Sequence, residues 1–235
     1  MNKLIFFDTE TTGNEQKDFL CQIAYKIHDP STSLGASTFS CLYKPPIKIP
    51  PEASAVHHIT NKMVGDKISF QESGDYAKIK TLFEDQDSVV VAHNAPFDLA
   101  IIKKENIEPK NFICTLRLAR HLDPEAKIER YNLQYLRYLL DLDVEATAHD
   151  ALGDVLVLEK LFDRLKAKLS VEEMIEISSH PSIIRTLNFG KYKGKKVEEV
   201  VSLDRGWLEW LLGEKEKSDQ IDEDWIYTLK HYLGK

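Results

Sequence analysis

Cysteine is scarce in this sequence. Three cysteines, Cys21, Cys41 and Cys114, occur among 235 residues, widely spaced and set among apolar neighbours. An odd number at this spacing argues against a disulfide framework, and the spacing fits no zinc motif. Long apolar runs are also missing, since only four consecutive apolar residues precede Asp8 and no later run approaches the length of a membrane span. We therefore expect a reduced, cytoplasmic protein with no signal peptide, no transmembrane helix and no membrane partner.

The sequence also lacks internal repeats, low-complexity tracts and an excess of positive charge. Its 31 lysines and arginines are outnumbered by 38 aspartates and glutamates, which leaves a formal net charge of −7. Such a chain is not expected to bind nucleic acid over its whole surface. A metal site would change this locally, because two divalent ions held by acidic side chains would bring the charge from −7 to −3 and attract phosphate. The length suits one ordinary domain plus a small appendage.

Two acidic residues follow the first apolar run of the chain. Residues 4–7 are all large and apolar, a pattern typical of a buried strand, and Asp8 and Glu10 come directly after them. Residues two positions apart on a strand share a face, so both carboxylates are expected to point into one small volume. Their repulsion would raise a pKa unless a cation lies between them. A hard divalent metal is the natural occupant.

Short apolar segments alternate with helical patterns over the first two thirds of the chain, which predicts an α/β fold. The proline-rich segment 45–51 argues against a helix or a central strand there, and a helical part is expected to begin within 55–60. Apolar residues at intervals of four and three, from Ala151 to Leu169, predict a long helix packed against a sheet. The predicted strands cover residues 3–8, 19–28, 36–43 and 88–92.

The composition changes near residue 168, which predicts a first domain over residues 1–168 and a small, mainly helical C-terminal module over 169–235. Trp207 and Trp210, one helical turn apart, are interpreted as core of this module in preference to a base-stacking platform. The module also contains a loop in which lysines alternate with aromatic residues and glycines. This loop is either a solvated surface or a DNA-binding surface that tracks phosphates. Its lysines are Lys191, Lys193, Lys195 and Lys196, with Phe189 and Tyr192 among them.

Two further acidic residues are predicted to join the first pair. Asp98 follows the buried run 89–92 at the start of a helix, where Pro96 is tolerated in the first turn. Asp154 flanks the buried stripe of the long helix, where a carboxylate needs a partner. His149 lies five residues earlier and can reach the same site only from the loop before that helix. Its imidazole is well suited to take a proton from water near neutral pH.

Three motifs, taken in this order, resemble those of the DEDD exonucleases, in the subgroup with a histidine five residues before the last aspartate. They are residues 8–13, 93–98 and 148–154. The resemblance implies a ribonuclease H-like fold, with a mixed five-stranded sheet and flanking helices, and 3′ to 5′ removal of nucleotides with two Mg²⁺ or Mn²⁺ ions. Segments 113–120, 189–195 and 229–233 resemble the exodeoxyribonuclease X branch, whose implied partner and substrate is DNA with single-stranded or double-stranded 3′ ends.

The same resemblance implies roles for individual residues. Asp8 would bridge both metal ions, and Asp98 would serve the second ion. Glu10 and Asp154 would complete the shell of the first ion, while His149 would act as the catalytic general base. The remaining candidates are substrate contacts: the backbone around Thr9 and Glu10 for the terminal 3′-hydroxyl, and Thr12, Ile59 and Phe97 for the terminal nucleotide.

Two other functions stay open from the sequence. One is an RNA-trimming 3′ to 5′ exonuclease of the same superfamily, because the acidic site acts on the phosphate and a 2′-hydroxyl is read by other contacts. The other is a non-catalytic nucleic-acid-binding module in which the carboxylates bind metal only for structure.

The role of the neighbouring histidines His57 and His58 is also open. They are either structural or substrate-lining residues.

Overall fold

A mixed five-stranded sheet forms the centre of the computed structural model, which describes residues 3–15, 17–28, 37–144, 151–219 and 222–235. The strand order is β3-β2-β1-β4-β5. β1 pairs antiparallel with β2 and parallel with β4, so the first strand lies in the middle of the sheet. The strands are β1 (Lys3–Thr11), β2 (Leu20–His28), β3 (Ser37–Leu42), β4 (Ser88–Ala92) and β5 (Asn111–Cys114).

Ten helices surround or follow this sheet in the part of the chain that is described. Within that same part, no helix is long and apolar enough to cross a membrane. Those of the first two thirds are α1 (Pro51–His57), α2 (Asn61–Val64), α3 (Tyr76–Glu84), α4 (Ala95–Lys104), α5 (Thr115–His121), α6 (Leu133–Leu139) and α7 (Ala151–Lys166). The last third contains α8 (Val171–Ser178), α9 (Val197–Lys217) and α10 (Glu223–Leu233).

The alternation of side chains along β1 divides the core into two layers. Leu4 and Phe6 face α7, where Phe6 meets Phe162 edge to face at 5.2 Å between ring centroids. The intervening Phe7 faces the opposite layer, formed with α3 and α4, and meets Phe83 at 5.1 Å. Because successive residues of a strand point to opposite faces, the residues that continue β1 beyond Phe7 are assigned to alternate layers as well.

The predicted α/β fold with a mixed five-stranded sheet is confirmed, and so is the long helix that begins at Ala151. All four strands predicted from apolar runs are present, but β5 was not predicted individually. Its four residues, Asn111–Cys114, are too few to show an alternating pattern. The exclusion of helix from 45–51 was wrong at its last residue, because Pro51 is the first residue of α1. Proline is tolerated there, since the amide that it lacks would have no partner inside the helix.

The C-terminal module has its own hydrophobic core, built from residues of α9 and α10 and of the segment that precedes α9. Trp225 and Leu229 of α10 are buried in this core with Leu208 of α9. The core interpretation of Trp210 was wrong, because that side chain is 56% exposed, whereas Trp207 is partly buried against the core. Helix α9 is kinked at Asp204, whose backbone is not helical, and residues from both halves of the helix contribute to this core.

The boundary between residues 168 and 169 remains a proposal. Helix α8, which follows this boundary, packs against β5 and α5 of the domain that contains the sheet (the sheet domain). Met174 of α8 is fully buried in the core layer of α7, and the Ser178 hydroxyl accepts a hydrogen bond from the Cys114 amide at 2.8 Å. The separate C-terminal core begins only at Ile184. Packing therefore favours grouping α8 with the sheet domain.

A buried ionic cluster fastens the module to the sheet domain. The side chain of Arg117 on α5 is almost fully buried and donates to Asp224 of α10, with 3.1 Å between Nε and Oδ1. Arg120, one turn farther on, donates to the other oxygen of Asp224 at 2.6 Å. Glu223 also pairs with Arg117. Buried charges are tolerated only when paired in this way, so the cluster sets how the two parts are joined.

We predict that Asp224→Asn lowers the free energy of unfolding by about 3 kcal/mol, because it leaves two buried guanidinium groups short of one negative charge. Urea unfolding followed by tryptophan fluorescence measures this directly, since all three tryptophans lie in the module. The matched control is Glu209→Gln, which breaks a pair with Arg205 that is nearly half exposed and should cost less than about 1 kcal/mol. Equal losses in the two variants would contradict a stabilising role for the cluster.

Candidate active site

Three carboxylates meet at the end of β1. Asp8 and Glu10 lie on the face of β1 that looks toward α7, and Asp154 lies in the first turn of α7. One oxygen from each residue can be chosen so that all three lie within 4.8 Å of one another. Three negative charges at this separation repel strongly unless a cation lies among them, and carboxylate oxygens are the ligands that hard divalent ions prefer. The donor set therefore fits a divalent metal.

The backbone at the end of β1 explains why this cluster is held in place. β1 and β2 pair in regular register as far as Glu10, which lies opposite Gln22. The next residue, Thr11, pairs with Leu20, so Cys21 is an extra residue in β2. Such bulges bend a strand locally and often redirect side chains beside active sites. Glu10 thus sits on the last regular pair of a rigid central strand.

Asp98 is not part of this group of three carboxylates. It belongs to the first turn of α4, which covers the layer away from α7. Thr9, the residue between the two acids, points to that layer and donates to Asp98 Oδ1 both from its hydroxyl at 2.6 Å and from its amide at 3.1 Å. Burial raises the pKa of Asp98, and these two hydrogen bonds oppose the rise. Its predicted role as a ligand of a second ion stays a prediction.

Gln134 of α6 is a member of the site that the sequence did not reveal. Its side-chain amide donates to Asp154 Oδ1. Its carbonyl oxygen accepts a hydrogen bond of 3.4 Å from Arg137, which also donates to the Val144 carbonyl. Residues 134 and 137 are one helical turn apart, but nothing in the local sequence shows that this helix faces the start of α7. We infer that Gln134 orients Asp154 toward the other two carboxylates.

We predict that Gln134→Leu weakens the affinity of this site for divalent metal by roughly 10- to 100-fold, the usual effect of losing an outer hydrogen-bond partner of a metal ligand. Leucine has a similar size but cannot hold the Asp154 carboxylate. The measurement is the Mn²⁺ concentration that gives half-maximal nucleotide release, together with the Mn²⁺-induced rise in melting temperature. The exposed Gln86 supplies the control, Gln86→Leu, which should match the wild type in both. A Gln134→Leu variant that also matches would show that Asp154 needs no such support.

Two histidines near the site, the buried His57 and the partly buried His93, have structural hydrogen bonds. His57 Nδ1 accepts from the Ile59 amide at 3.0 Å, so Nε2 carries the proton and donates to the Thr11 carbonyl at 3.1 Å. His93 Nε2 lies 2.7 Å from the Tyr131 carbonyl, to which it must donate. Burial lowers the pKa of both rings, that of His93 to about 4. These contacts favour the structural interpretation of His57, while His58 is exposed.

The predicted substrate contacts differ in how much surface they present. Thr12 is 1% exposed, and its hydroxyl is used by Asp18 and by the Phe19 amide. Ile59 is 3% exposed and packs in a small cluster with Cys21. Phe97 is only partly buried and lies on α4 directly before Asp98. Among the nucleotide neighbours predicted from the resemblance, Phe97 therefore has the surface for such a contact, and all of these roles remain predictions.

The predicted general base, His149, lies in segment 145–150, outside the described residues. The described chain stops at Val144 and resumes at Ala151, one turn before Asp154. Its assignment therefore stays a prediction that depends on the motif.

The aromatic residues of the lysine-rich loop, residues 188–196 (the lysine loop), pack against other aromatic residues of the C-terminal module. Tyr192 meets Trp207 edge to face at 5.1 Å, and Phe189 meets Trp225 at 5.2 Å, so both rings pack inside the module. Gly190 has a φ of 69°, and a Cβ there would approach Trp207 to 2.9 Å. The two aromatic rings therefore serve packing first. The predicted lysines Lys191, Lys193, Lys195 and Lys196 are all exposed.

The fold and the acidic cluster define a nuclease of the ribonuclease H-like class that depends on divalent metal. Residues 5–162 match the family described as Exonuclease, and residues 187–216 match the family described as exodeoxyribonuclease X-like C-terminal. The chain belongs to the exonuclease family. This confirms the resemblance to the DEDD exonucleases and extends it into the C-terminal module.

Individual relatives support the same assignment. The chain is 33% identical over 197 residues to Exodeoxyribonuclease 10 of Escherichia coli strain K12, covering 83% of this chain and 84% of that protein. It is 33% identical over 170 residues to the DNA polymerase III subunit epsilon of Treponema pallidum, covering 68% and 75%. A solved structure of exonuclease X in complex with 5′ overhanging duplex DNA is 28% identical, with a TM-score of 0.61, and covers 74% of this chain and 99% of that one.

Proposed function

We propose that this protein is a metal-dependent 3′ to 5′ exodeoxyribonuclease. The observation that carries the proposal is the convergence of Asp8, Glu10 and Asp154 on one point at the end of the central strand. The family match supports exonuclease chemistry, and the similarity to exodeoxyribonuclease 10 and to a DNA-bound exonuclease X favours DNA as the substrate. The cytoplasmic location predicted from the sequence remains a prediction.

The proposed metal centre has two ions, Mg²⁺ or Mn²⁺. Asp8, Glu10 and Asp154 would hold the first, and Asp8 and Asp98 would serve the second. Two such ions stabilise both the attacking and the leaving oxygen of an in-line displacement at phosphorus. The hydrogen bonds from Thr9 hold the Asp98 side chain beside the central strand.

The chain's own residues supply positioning and proton transfer. His149 accepts a proton of the attacking water as the water oxygen bonds to phosphorus. The bond between phosphorus and the 3′ oxygen of the preceding nucleotide breaks, and that oxygen takes a proton from solvent to become the new 3′-hydroxyl. The backbone at Glu10 is the proposed position of the terminal 3′-hydroxyl, since the Thr9 amide already donates to Asp98. Phe97 is the proposed neighbour of the terminal base. Gln134 keeps Asp154 oriented throughout.

Matched DNA and RNA oligonucleotides, labelled at one end and blocked in turn at the other, test this function. We expect Mg²⁺- or Mn²⁺-dependent release of mononucleotides from DNA, abolished by a blocked 3′ end and unaffected by a blocked 5′ end. Faster digestion of RNA would favour the RNA-trimming alternative. Binding of DNA without release of any nucleotide, in the presence of either metal, would favour the non-catalytic alternative.

A further inference from the structure

A cleft of about 640 Å³ lies between the sheet domain and the C-terminal module. One wall is formed by Asn94 and Pro96 of the second motif, which also supplies Asp98. The opposite wall is formed by the segment before α9, including Arg185, and by Lys193 of the lysine loop. Its volume is in the range of ligand-binding sites, roughly 300–1,000 Å³. The cleft therefore connects the catalytic motif with the basic loop.

The acidic residues of this cleft are all neutralised by neighbours. Each of the four has a cationic side chain within salt-bridge distance, so none of them leaves an uncompensated negative charge to repel an anion. The pairs are Glu129 with Arg130, Asp222 with Lys215, Glu223 with Arg117, and Asp224 with both Arg117 and Arg120.

Two cations remain after this pairing. Among the described residues, the side chains of Arg185 and Lys193 have no ion-pair or hydrogen-bond partner. Arg185 is half-buried, where an unpaired charge is costly. Its guanidinium opposes the rise in pKa that burial causes in Tyr131 on one side and in Tyr232 on the other, so it lies at the junction of the two parts. The cleft therefore has a net charge that attracts anions.

Hydrogen bonds hold the backbone that carries these two cations. The Arg185 carbonyl accepts from the Val197 amide at 2.8 Å, and Thr186 forms an antiparallel bridge with Lys196. The Gly194 amide, next to Lys193, donates to the Leu187 carbonyl at 2.7 Å. Because this backbone is already ordered, a ligand that binds the two side chains does not have to order the backbone as well.

We propose that this cleft binds the phosphodiester backbone of the DNA substrate, with Arg185 and Lys193 as the phosphate contacts. The proposal rests on the proposed exonuclease function in one respect, namely that the bound nucleic-acid strand is the DNA substrate. Arginine can contact two phosphate oxygens at once, while lysine acts as a point charge. Because the cleft adjoins the motif that carries Asp98, a strand bound there lies beside the catalytic centre.

Two lysines of the loop, Lys191 and Lys193, differ in their position relative to the cleft. Lys193 lines the cleft, whereas the Lys191 amine pairs with Asp204 at 2.6 Å and lies over the Tyr192 ring. Lys191 is thus already compensated. Replacement of Lys193 is expected to weaken DNA binding, and replacement of Lys191 is not.

The experiment measures the affinity for single-stranded and duplex DNA over a range of KCl concentrations, in an Asp8→Ala background that cannot digest the probe. Each phosphate contact contributes about 0.7 for single strands and 0.9 for duplex to the slope of log affinity against log salt. We expect Arg185→Gln and Lys193→Gln each to reduce the slope by about that amount, and the double variant by about twice as much. Lys191→Gln and the charge-preserving Arg185→Lys are the controls and should keep the wild-type slope.

A double variant that folds and keeps the wild-type slope would overturn the proposal. So would an Arg185→Lys variant that loses as much slope as Arg185→Gln, because the effect would then come from packing. If Arg185→Gln does not fold, the exposed Lys193 still decides the matter. An active nuclease with unchanged slopes contradicts the cleft alone, whereas reduced slopes in variants of a protein that releases no nucleotide contradict the exonuclease function alone.

Discussion

Replacement of Asp8 by alanine is expected to abolish nucleotide release while leaving the fold intact. Asp8 is the one carboxylate proposed to touch both metal ions, and it comes from the most central strand of the sheet. Without metal, its removal relieves repulsion from Glu10 and Asp154, so the melting temperature should stay equal or rise slightly. With Mg²⁺ or Mn²⁺, the wild type should gain stability from bound metal and the variant should not.

The measurement combines nucleotide release from a labelled DNA strand with thermal unfolding at increasing metal concentration. Asp66→Ala, which removes an exposed acid in the turn after α2, is the control and should retain full activity and full stabilisation by metal. Activity close to the wild type in Asp8→Ala would remove the basis of the metal assignment.

His149→Ala is expected to lower turnover by roughly 10²- to 10⁴-fold, the usual contribution of a general base. DNA affinity should change little, because the side chain acts on water. The base works only when it is unprotonated, so wild-type turnover should rise with pH through the pKa of His149. The variant should lose this acid limb of the pH profile.

Turnover and affinity for DNA are measured separately across pH, with His28→Ala, at the exposed end of β2, as the control. Added imidazole should restore part of the turnover of His149→Ala, since a free base can then enter the site. A loss that is wholly a loss of DNA affinity, with the acid limb preserved, would show that His149 is a binding residue.

The two faces of β1 have different tasks at the active site. The even-numbered residues Asp8 and Glu10 meet Asp154 on the α7 side, while Thr9 between them holds Asp98 on the α4 side. A single strand thus brings helices from both layers to the same edge of the sheet. In this chain, two acids and the hydrogen-bonding residue between them therefore serve both layers.

The C-terminal module is joined to the sheet domain through buried charges, and this favours a fixed relation between its basic cleft and the catalytic centre. Arg117 and Arg120 come from the helix directly after β5, and Asp224 comes from the last helix of the chain. Loss of this cluster should therefore affect DNA binding as well as stability.

Local patterns in the sequence were sufficient to place the three carboxylates Asp8, Glu10 and Asp154 and to predict most of the fold. The alternation along β1 placed Asp8 and Glu10 on one face, and the helical stripe placed Asp154 beside the core, because side-chain direction within one element follows from its period alone. The same patterns predicted four of the five strands and the long helix. The motif spacing singled out His149, which no structural contact described here identifies.

Only the tertiary structure decided which distant residues meet. Thr9 and Asp98 are separated by 89 positions, Gln134 and Asp154 by 20, and Arg117 and Asp224 by 107. The cleft of Arg185 and Lys193 likewise depends on how the module docks on the sheet domain. The periodic pattern within one helix or strand does not show which other element it packs against. Such contacts form between whole elements that are far apart in the sequence.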